Sequence, residues 1–74
     1  MDEMIYCIIK DSKELCFFLG ELEGQYSKHL SVIEDSFGSV RIVRSTEIEK
    51  MHAEEAEAID PVMYRILNEE YLDD

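Results

Sequence analysis

Two histidines are the only side chains in this sequence that ordinarily titrate near neutral pH and could serve there as bases. A hydrolytic or transfer site would place a nucleophile and an orienting group around such a base, and neither His29 nor His52 lies in a recognised motif of that kind. Neighbouring acids such as Glu34 and Asp35 could do acid and base work. With 18 acids in 74 residues, however, such pairs arise freely. We therefore predict that the protein is not an enzyme.

Metal and phosphate sites are not indicated either. Glu49 and His52 have the i, i+3 spacing of a half-site in helical di-iron proteins, but such a site needs further carboxylates from other helices. The acids do not follow the alternating pattern of a calcium-binding EF-hand loop. Gly20, Gly24 and Gly38 are too far apart to form a phosphate-binding loop. We predict no metal and no cofactor.

Cysteine use and the N-terminus bear on the compartment. Cys7 and Cys16 do not form a CxxC unit, and two cysteines make no disulfide framework, so we interpret them as reduced core thiols, with a disulfide between them as the alternative. Residues 1–3 are acidic where a secretory signal is basic, and the apolar run over residues 4–9 is far shorter than the roughly 20 residues that span a bilayer. These features predict a cytoplasmic protein.

The first half of the chain has the composition of β-strands separated by turns. Residues 11–13 and 35–38 supply turn residues. The predicted strands cover residues 4–10, 14–22, 26–34 and 40–44. They would form an antiparallel meander.

Residues 12–23 allow two interpretations. Apolar residues at 15, 17 and 19 alternate as in a strand. Asp11 and Glu14 also have the spacing of a helical capping box, with apolar residues at 15, 18, 19 and 22 on one helical face and Gly24 in the place of a C-cap. Strand and helix both remain open for this segment.

From Thr46 onward the apolar period becomes helical, which predicts a helix or a short strand that runs into a helix. Asp60 followed by Pro61 indicates the start of a second helix, because Asp accepts bonds from free first-turn amides and Pro loses none there. The stripe expected to pack on the sheet comprises Met63, Ile66, Leu67 and Tyr71. The chain is thus predicted to be one α+β domain, residues 1–74, with a small antiparallel β-meander and a C-terminal helical segment.

A family resemblance concerns residues 10–51. A turn, Leu15, Gly20 and Leu22, followed by residues 29–35 and 40–45, resembles the strand rhythm of small Sm-like or SH3-like barrels. The resemblance implies that the meander is barrel-like. The asparagine that such proteins use for RNA falls near His29 here, and their Arg-Gly pair is Arg44-Ser45, so RNA binding is not implied.

The charge is strongly negative and unevenly distributed. The formal net charge is -11, and residues 53–74 hold eight acids but only one base, Arg65. Such a chain is repelled by nucleic acid and by anionic membranes, so we expect neither as a direct partner. A macromolecular partner is expected to be basic.

The acids at and after residue 47 are the candidate partner-binding residues. Carboxylates at i, i+3 or i+4 lie about 5 to 6 Å apart at Cβ, so rows of them can imitate the phosphates of DNA, spaced about 3.4 Å along a strand. The candidates are Glu47, Glu54, Glu55, Glu57, Asp60, Glu69, Glu70, Asp73 and Asp74. A solvated tail is the other interpretation of those at the C-terminus.

In size, acidity and lack of a catalytic motif, the chain resembles the small DNA-mimic proteins with which phages block host DNA-binding proteins. The resemblance implies a protein of the host cytoplasm that occupies the nucleic-acid site of a basic host protein, such as an HU-type nucleoid protein, a polymerase or a nuclease. The alternative is a regulatory adaptor that binds a protein groove through an apolar helix face. A homodimer is compatible with either function.

Overall fold

The computed structural model describes residues 4–22 and 29–72, excluding the side chains of residues 70–72. The described elements are β1 (Tyr6–Ile9), β2 (Leu15–Glu21), β3 (Leu30–Glu34), β4 (Val40–Arg44), β5 (Ile48–Met51), α1 (Ala53–Ile59) and α2 (Pro61–Leu72). A single 3₁₀ turn, Ser45–Glu47, joins β4 to β5. The predicted α+β class is confirmed.

The strands form one antiparallel sheet in the order β4-β3-β2-β1-β5. The strand interpretation of residues 12–23 is confirmed over β2, where Leu15 packs against the helices and Cys16 packs on the opposite face. The helix alternative is wrong because this segment pairs with β1 and β3, and its successive side chains pack on opposite faces of the sheet. The short strand that runs into a helix is also confirmed, as β5 followed by α1.

The barrel-like closure is not found among the described residues. The 3₁₀ turn carries the chain from β4 across to β1, where the Lys10 amide donates to the Glu47 carbonyl at 2.9 Å. β5 then pairs with β1 and becomes the second edge of the sheet instead of joining β4. The described sheet is therefore open, with β4 and β5 at opposite edges.

Local chemistry explains the β3–β4 turn. The Asp35 carboxylate accepts hydrogen bonds from the amides of Phe37 at 2.9 Å and Ser39 at 3.0 Å, which fixes the reversal of the chain. Gly38 has a φ of 83°, a conformation that side-chain-bearing residues rarely adopt. The turn predicted over residues 35–38 is present.

Each face of the sheet carries its own hydrophobic cluster. Tyr6, Ile8, Leu15 and Met51 face the helices and pack with residues of α1 and α2; we call this the helix-side cluster. The next residues along the strands point the other way. They form the curled-side cluster, which contains Cys7, Cys16, Ile33 and Ile48.

Curvature of the sheet helps to enclose the curled-side cluster. Residues of β1 and β4, which two strands separate, line one open cavity of about 620 Å³, with Ile9 on one side and Arg41 and Val43 on the other. The β2–β3 register shifts between Phe18 and Gly20. Such a bulge bends a strand and increases its twist, which is consistent with the curled sheet.

The outer edge of β4 presents main-chain groups to solvent. The bonds between the Asp35 amide and the Ser39 carbonyl, and between the Ser45 amide and the His29 carbonyl, set the alternation of the β3–β4 ladder. That alternation directs the amides and carbonyls of Val40, Ile42 and Arg44 away from β3.

None of the helices in the described part of the chain combines the length and the apolar character that a membrane-spanning helix requires.

Candidate functional site

The helical layer, residues 53–72, contains most of the predicted partner-binding acids. Helix α1 follows His52, whose amide donates to the Glu55 carboxylate at 3.2 Å and so satisfies a donor beside the helix start. Ala56 is buried against the sheet, whereas Glu54 and Glu57 are exposed. The structure gives neither of these two carboxylates a hydrogen-bond or ion-pair partner among the described residues.

Helix α2 begins as the sequence predicts. The Met63 amide donates to the Asp60 carboxylate at 3.1 Å, and Pro61 occupies the first helical position. Leu67 is buried in the helix-side cluster, and Tyr64 packs beside it at 5.3 Å from the Tyr6 ring, measured between centroids.

One predicted detail of α2 is wrong. Ile66, expected in the buried stripe, is exposed, whereas Asn68, which is not part of that stripe, is partly buried. The Asn68 side chain accepts from the Tyr6 hydroxyl at 3.2 Å and donates to the Tyr64 carbonyl at 2.7 Å. Docking on Tyr6 therefore turns Tyr64 and Asn68 toward the sheet and Ile66 away from it.

Charge is segregated between the two layers. Residues 53–72 contain six acids and one cation, Arg65. The other cations of the described residues belong to the sheet and its turns: Lys10, Lys13, Arg41, Arg44 and Lys50. The helical layer is thus the more anionic part of the described structure.

Two of the sheet cations are held by acids of the sheet. Arg41 reaches the carboxylates of Glu14 at 3.5 Å and Asp35 at 3.7 Å. Lys50 lies 3.4 Å from the Glu21 carboxylate and 5.0 Å from the centre of the Phe18 ring. Neither cation neutralises the helical layer through these contacts.

Arg65 makes the described ion pair of the helical layer. Its Nε lies 3.2 Å from the Glu69 carboxylate, one turn further along α2. Both side chains are largely exposed, 79% and 62%, so water and salt weaken this pair. An incoming cation could replace Arg65 at little cost.

The nine predicted acids do not all come together. Six belong to the helical layer: Glu54, Glu55, Glu57, Asp60, Glu69 and Glu70. Glu47 lies apart at the end of the 3₁₀ turn that precedes β5, where its carboxylate accepts from the Arg44 amide at 3.3 Å. Glu70 is in α2, but its side chain is outside the described set, and Asp73 and Asp74 lie outside the described residues.

A shallow open groove of about 460 Å³ lies between the two helices. Glu57 of α1 and Glu69 of α2 both line it, together with Pro61, Tyr64, Arg65 and Asn68. Burial, the Tyr6 hydroxyl and the charge of Glu57 raise the pKa of Tyr64, which favours its neutral form. The groove thus combines carboxylates with an aromatic wall.

Sequence reasoning missed the apolar residues on the outer side of this layer. Ile59, Val62 and Ile66 are 55%, 68% and 40% exposed. The exposed pair on α2, Val62 and Ile66, has i, i+4 spacing, and this spacing could have revealed a second apolar face. The sequence analysis did not identify this second apolar face because Ile66 also fits the predicted core stripe.

The residues considered for chemistry are placed apart from one another. His29 has a φ of 75° in the turn before β3, while Glu49 belongs to β5 and His52 precedes α1, so the latter two do not share a helix. Within residues 4–22 and 29–72, no group of three or more His, Cys, Asp or Glu is placed to hold a metal ion.

Cys7 and Cys16 are free, buried and directly opposite each other on β1 and β2. Burial, with a smaller contribution from Cys16, raises the pKa of Cys7 to about 12. Burial, followed by the charge of Glu14, raises that of Cys16 to about 11. Both thiols therefore stay protonated near neutral pH and are poor nucleophiles.

No protein family model matches this chain. Neither a curated protein nor a solved structure shows significant similarity to it.

Proposed function

We propose that this protein is a non-enzymatic, acidic binding protein whose helical layer occupies the nucleic-acid-binding surface of a basic host protein. The segregation of charge is the observation that supports the proposal. The helical layer holds six acids against one cation, and that cation is only loosely paired. A basic surface would meet a nearly uncompensated anionic one.

Electrostatic complementarity of this kind mainly steers association and selects partners. Carboxylates on a helix can occupy positions that phosphates would take, because both are anionic acceptors for Lys and Arg. The proposed target is a DNA-binding protein of the host cytoplasm, such as an HU-type nucleoid protein, a polymerase or a nuclease, with the present protein encoded by a phage. Binding should weaken steeply as salt rises.

A competition assay tests the proposal. An HU-type nucleoid protein would be bound to fluorescently labelled duplex DNA, and release of the DNA would be followed by anisotropy while the acidic protein is added. We expect displacement at low salt. Failure of the protein to displace DNA from HU, or of DNA to displace it in the reverse experiment, contradicts mimicry at this target.

A pair of matched charge reversals locates the surface. Glu54→Lys with Glu57→Lys changes two exposed acids of α1, whereas Asp11→Lys with Glu49→Lys changes two exposed acids of the sheet half. Each variant raises the net charge by the same amount. We expect the α1 variant to lose about tenfold or more in affinity and the sheet variant to lose much less, because close charges dominate over distant screened ones. Equal losses would show that only overall charge matters.

The adaptor alternative relies on an apolar helix face that is free to bind. Of the stripe predicted for α2, Leu67 is buried and Met63 is packed against the helix-side cluster. Leu67 and Met63 of that stripe thus already serve the core of this protein. Ile66 of the same stripe is exposed instead, beside Val62, and the side chain of Tyr71 is outside the described set.

A further inference from the structure

Helix α2 has apolar residues on its outer face as well as on the inner face that packs against the sheet. Val62 and Leu67 are five residues apart, which in an α-helix places them about 140° apart, on nearly opposite sides. Leu67 is buried in the helix-side cluster, whereas Val62 and Ile66 are exposed, and Ile59 is exposed at the end of α1. We call Val62 and Ile66, which share one face of α2, the outer apolar row.

Carboxylates accompany the outer apolar row. Glu69 has i, i+7 spacing from Val62 and i, i+3 spacing from Ile66, so it continues the same face of α2. Glu57 of α1 lines the groove between the helices together with Glu69. Val62 and Ile66 therefore lie beside Glu69, which connects their face of α2 to this acidic groove.

We propose that the outer apolar row, with the carboxylates beside it, binds a basic amphipathic helix of the partner protein. This inference rests on the proposed function and specifies the element that the helical layer recognises. The apolar side of such a helix would cover Val62 and Ile66, and its Lys or Arg residues would reach Glu57 and Glu69. Helices commonly bind in this way, through anchors at i, i+3, i+4 and i+7.

Charge complementarity distinguishes this occupant from the others. A second copy of this chain would bring the same acids against one another, and an anionic membrane or a nucleic acid would be repelled by them. An extended strand would find few partners for its main chain, because the amides and carbonyls inside α1 and α2 are already bonded within the helices. A cationic helix satisfies both the apolar and the charged parts of the surface.

Two synthetic peptides of equal charge test the inference. One is an amphipathic helical peptide of Leu and Lys; in the other, every Leu is replaced by Gln. Binding of each to the full chain would be measured by calorimetry at one fixed salt concentration. We expect the Leu/Lys peptide to bind at least about tenfold more tightly, because only it can cover the outer apolar row. Equal affinities would overturn the inference.

Matched variants assign that preference to the proposed surface. Val62→Ser with Ile66→Ser should remove about tenfold of the affinity for the Leu/Lys peptide and leave the Gln/Lys peptide unchanged. Val40→Ser with Ile42→Ser makes the same two replacements on β4, where both side chains are 59% exposed, and should change neither affinity. The reverse result would place the binding surface on β4 and overturn the inference.

The two proposals can fail separately. Glu54→Lys with Glu57→Lys should weaken both peptides, and if it weakens neither, the proposed electrostatic function fails. If that variant weakens both while Val62→Ser with Ile66→Ser weakens neither, the acidic function stands and the amphipathic helix is excluded. Val62→Thr, which keeps the side-chain shape, provides a second test with minimal change to α2 and should weaken the Leu/Lys peptide alone.

Discussion

The helix-side and curled-side clusters are built from alternate residues of the same strands, yet they are enclosed in different ways. Tyr6 and Ile8 pack with residues of α1 and α2, whereas Cys7 and Cys16 lie on the face that the sheet curves around. Both faces of β1 are nonetheless almost completely buried. The comparison teaches that only one of the two clusters depends directly on the helices. Loss of helix docking should therefore affect the two faces unequally.

The largest expected effect comes from removing the helix contact. Leu67→Ala deletes a buried side chain of the helix-side cluster and should lower the free energy of unfolding by about 2 to 5 kcal/mol, since it leaves a cavity. Denaturant titration would measure the loss. Ile66→Ala is the matched control on the same helix and should cost far less, because Ile66 is already exposed. Equal losses would mean that α2 docks through its other face.

The second effect concerns the thiols of the curled-side cluster. Because their pKa values are raised to about 12 and 11 from an ordinary 9.0, the native thiols should react with iodoacetamide at pH 8 about a hundredfold or more slowly than after unfolding. Mass spectrometry of native and urea-unfolded samples would compare the rates. Fast native labelling would show that this face is not closed.

The same thiols make stability depend on alkaline pH. The native state keeps thiol protons that the unfolded chain loses near pH 9, so the native state binds more protons between pH 9 and about 11. Their contribution to the free energy of unfolding is therefore constant below pH 9 and falls as pH rises above it. Cys7→Ala should make this fall shallower, as denaturant titrations at several pH values would show.

The smallest effect concerns the junction of the two helices. Asp60→Ala removes the bond to the Met63 amide and should cost about 0.5 to 2 kcal/mol. Asp60→Asn keeps an acceptor and should cost less, although it removes the same charge. Thermal unfolding of both variants would separate capping from charge. If the two variants lose the same stability, capping is not the main role of Asp60.

Local patterns identified most of the elements. Strand-favouring residues between turn residues predicted β1 to β4, and Asp60 with Pro61 predicted the start of α2, because strand propensity and helix capping are properties of short segments. The prediction of the α2 face was only partly right. Met63, Ile66 and Leu67 fit one helical stripe, but contact of Tyr64 with Tyr6 rotated the buried side toward residues 64 and 68. That contact spans the whole fold and leaves no local sequence signal.

The candidate site shows the same limit. Acid-rich segments could be read from the sequence, but their grouping depends on where α1 and α2 dock. Glu47 is close in sequence to the acids of α1, yet β5 separates it from them. The outer apolar row was not predicted from the sequence. A helix with apolar residues on two sides has a periodicity that fits more than one orientation of the helix on the sheet.

The position of Glu47 has a consequence for self-association. An edge strand with unbonded amides is a template on which another chain can add a strand and begin aggregation. The Glu47 carboxylate accepts a hydrogen bond from the Arg44 amide. Of the three residues of β4 whose amides point outward, only Val40 and Ile42 therefore keep free donors among the described residues. A carboxylate counted from the sequence among the partner-binding acids thus shortens the stretch of β4 that could recruit a foreign strand.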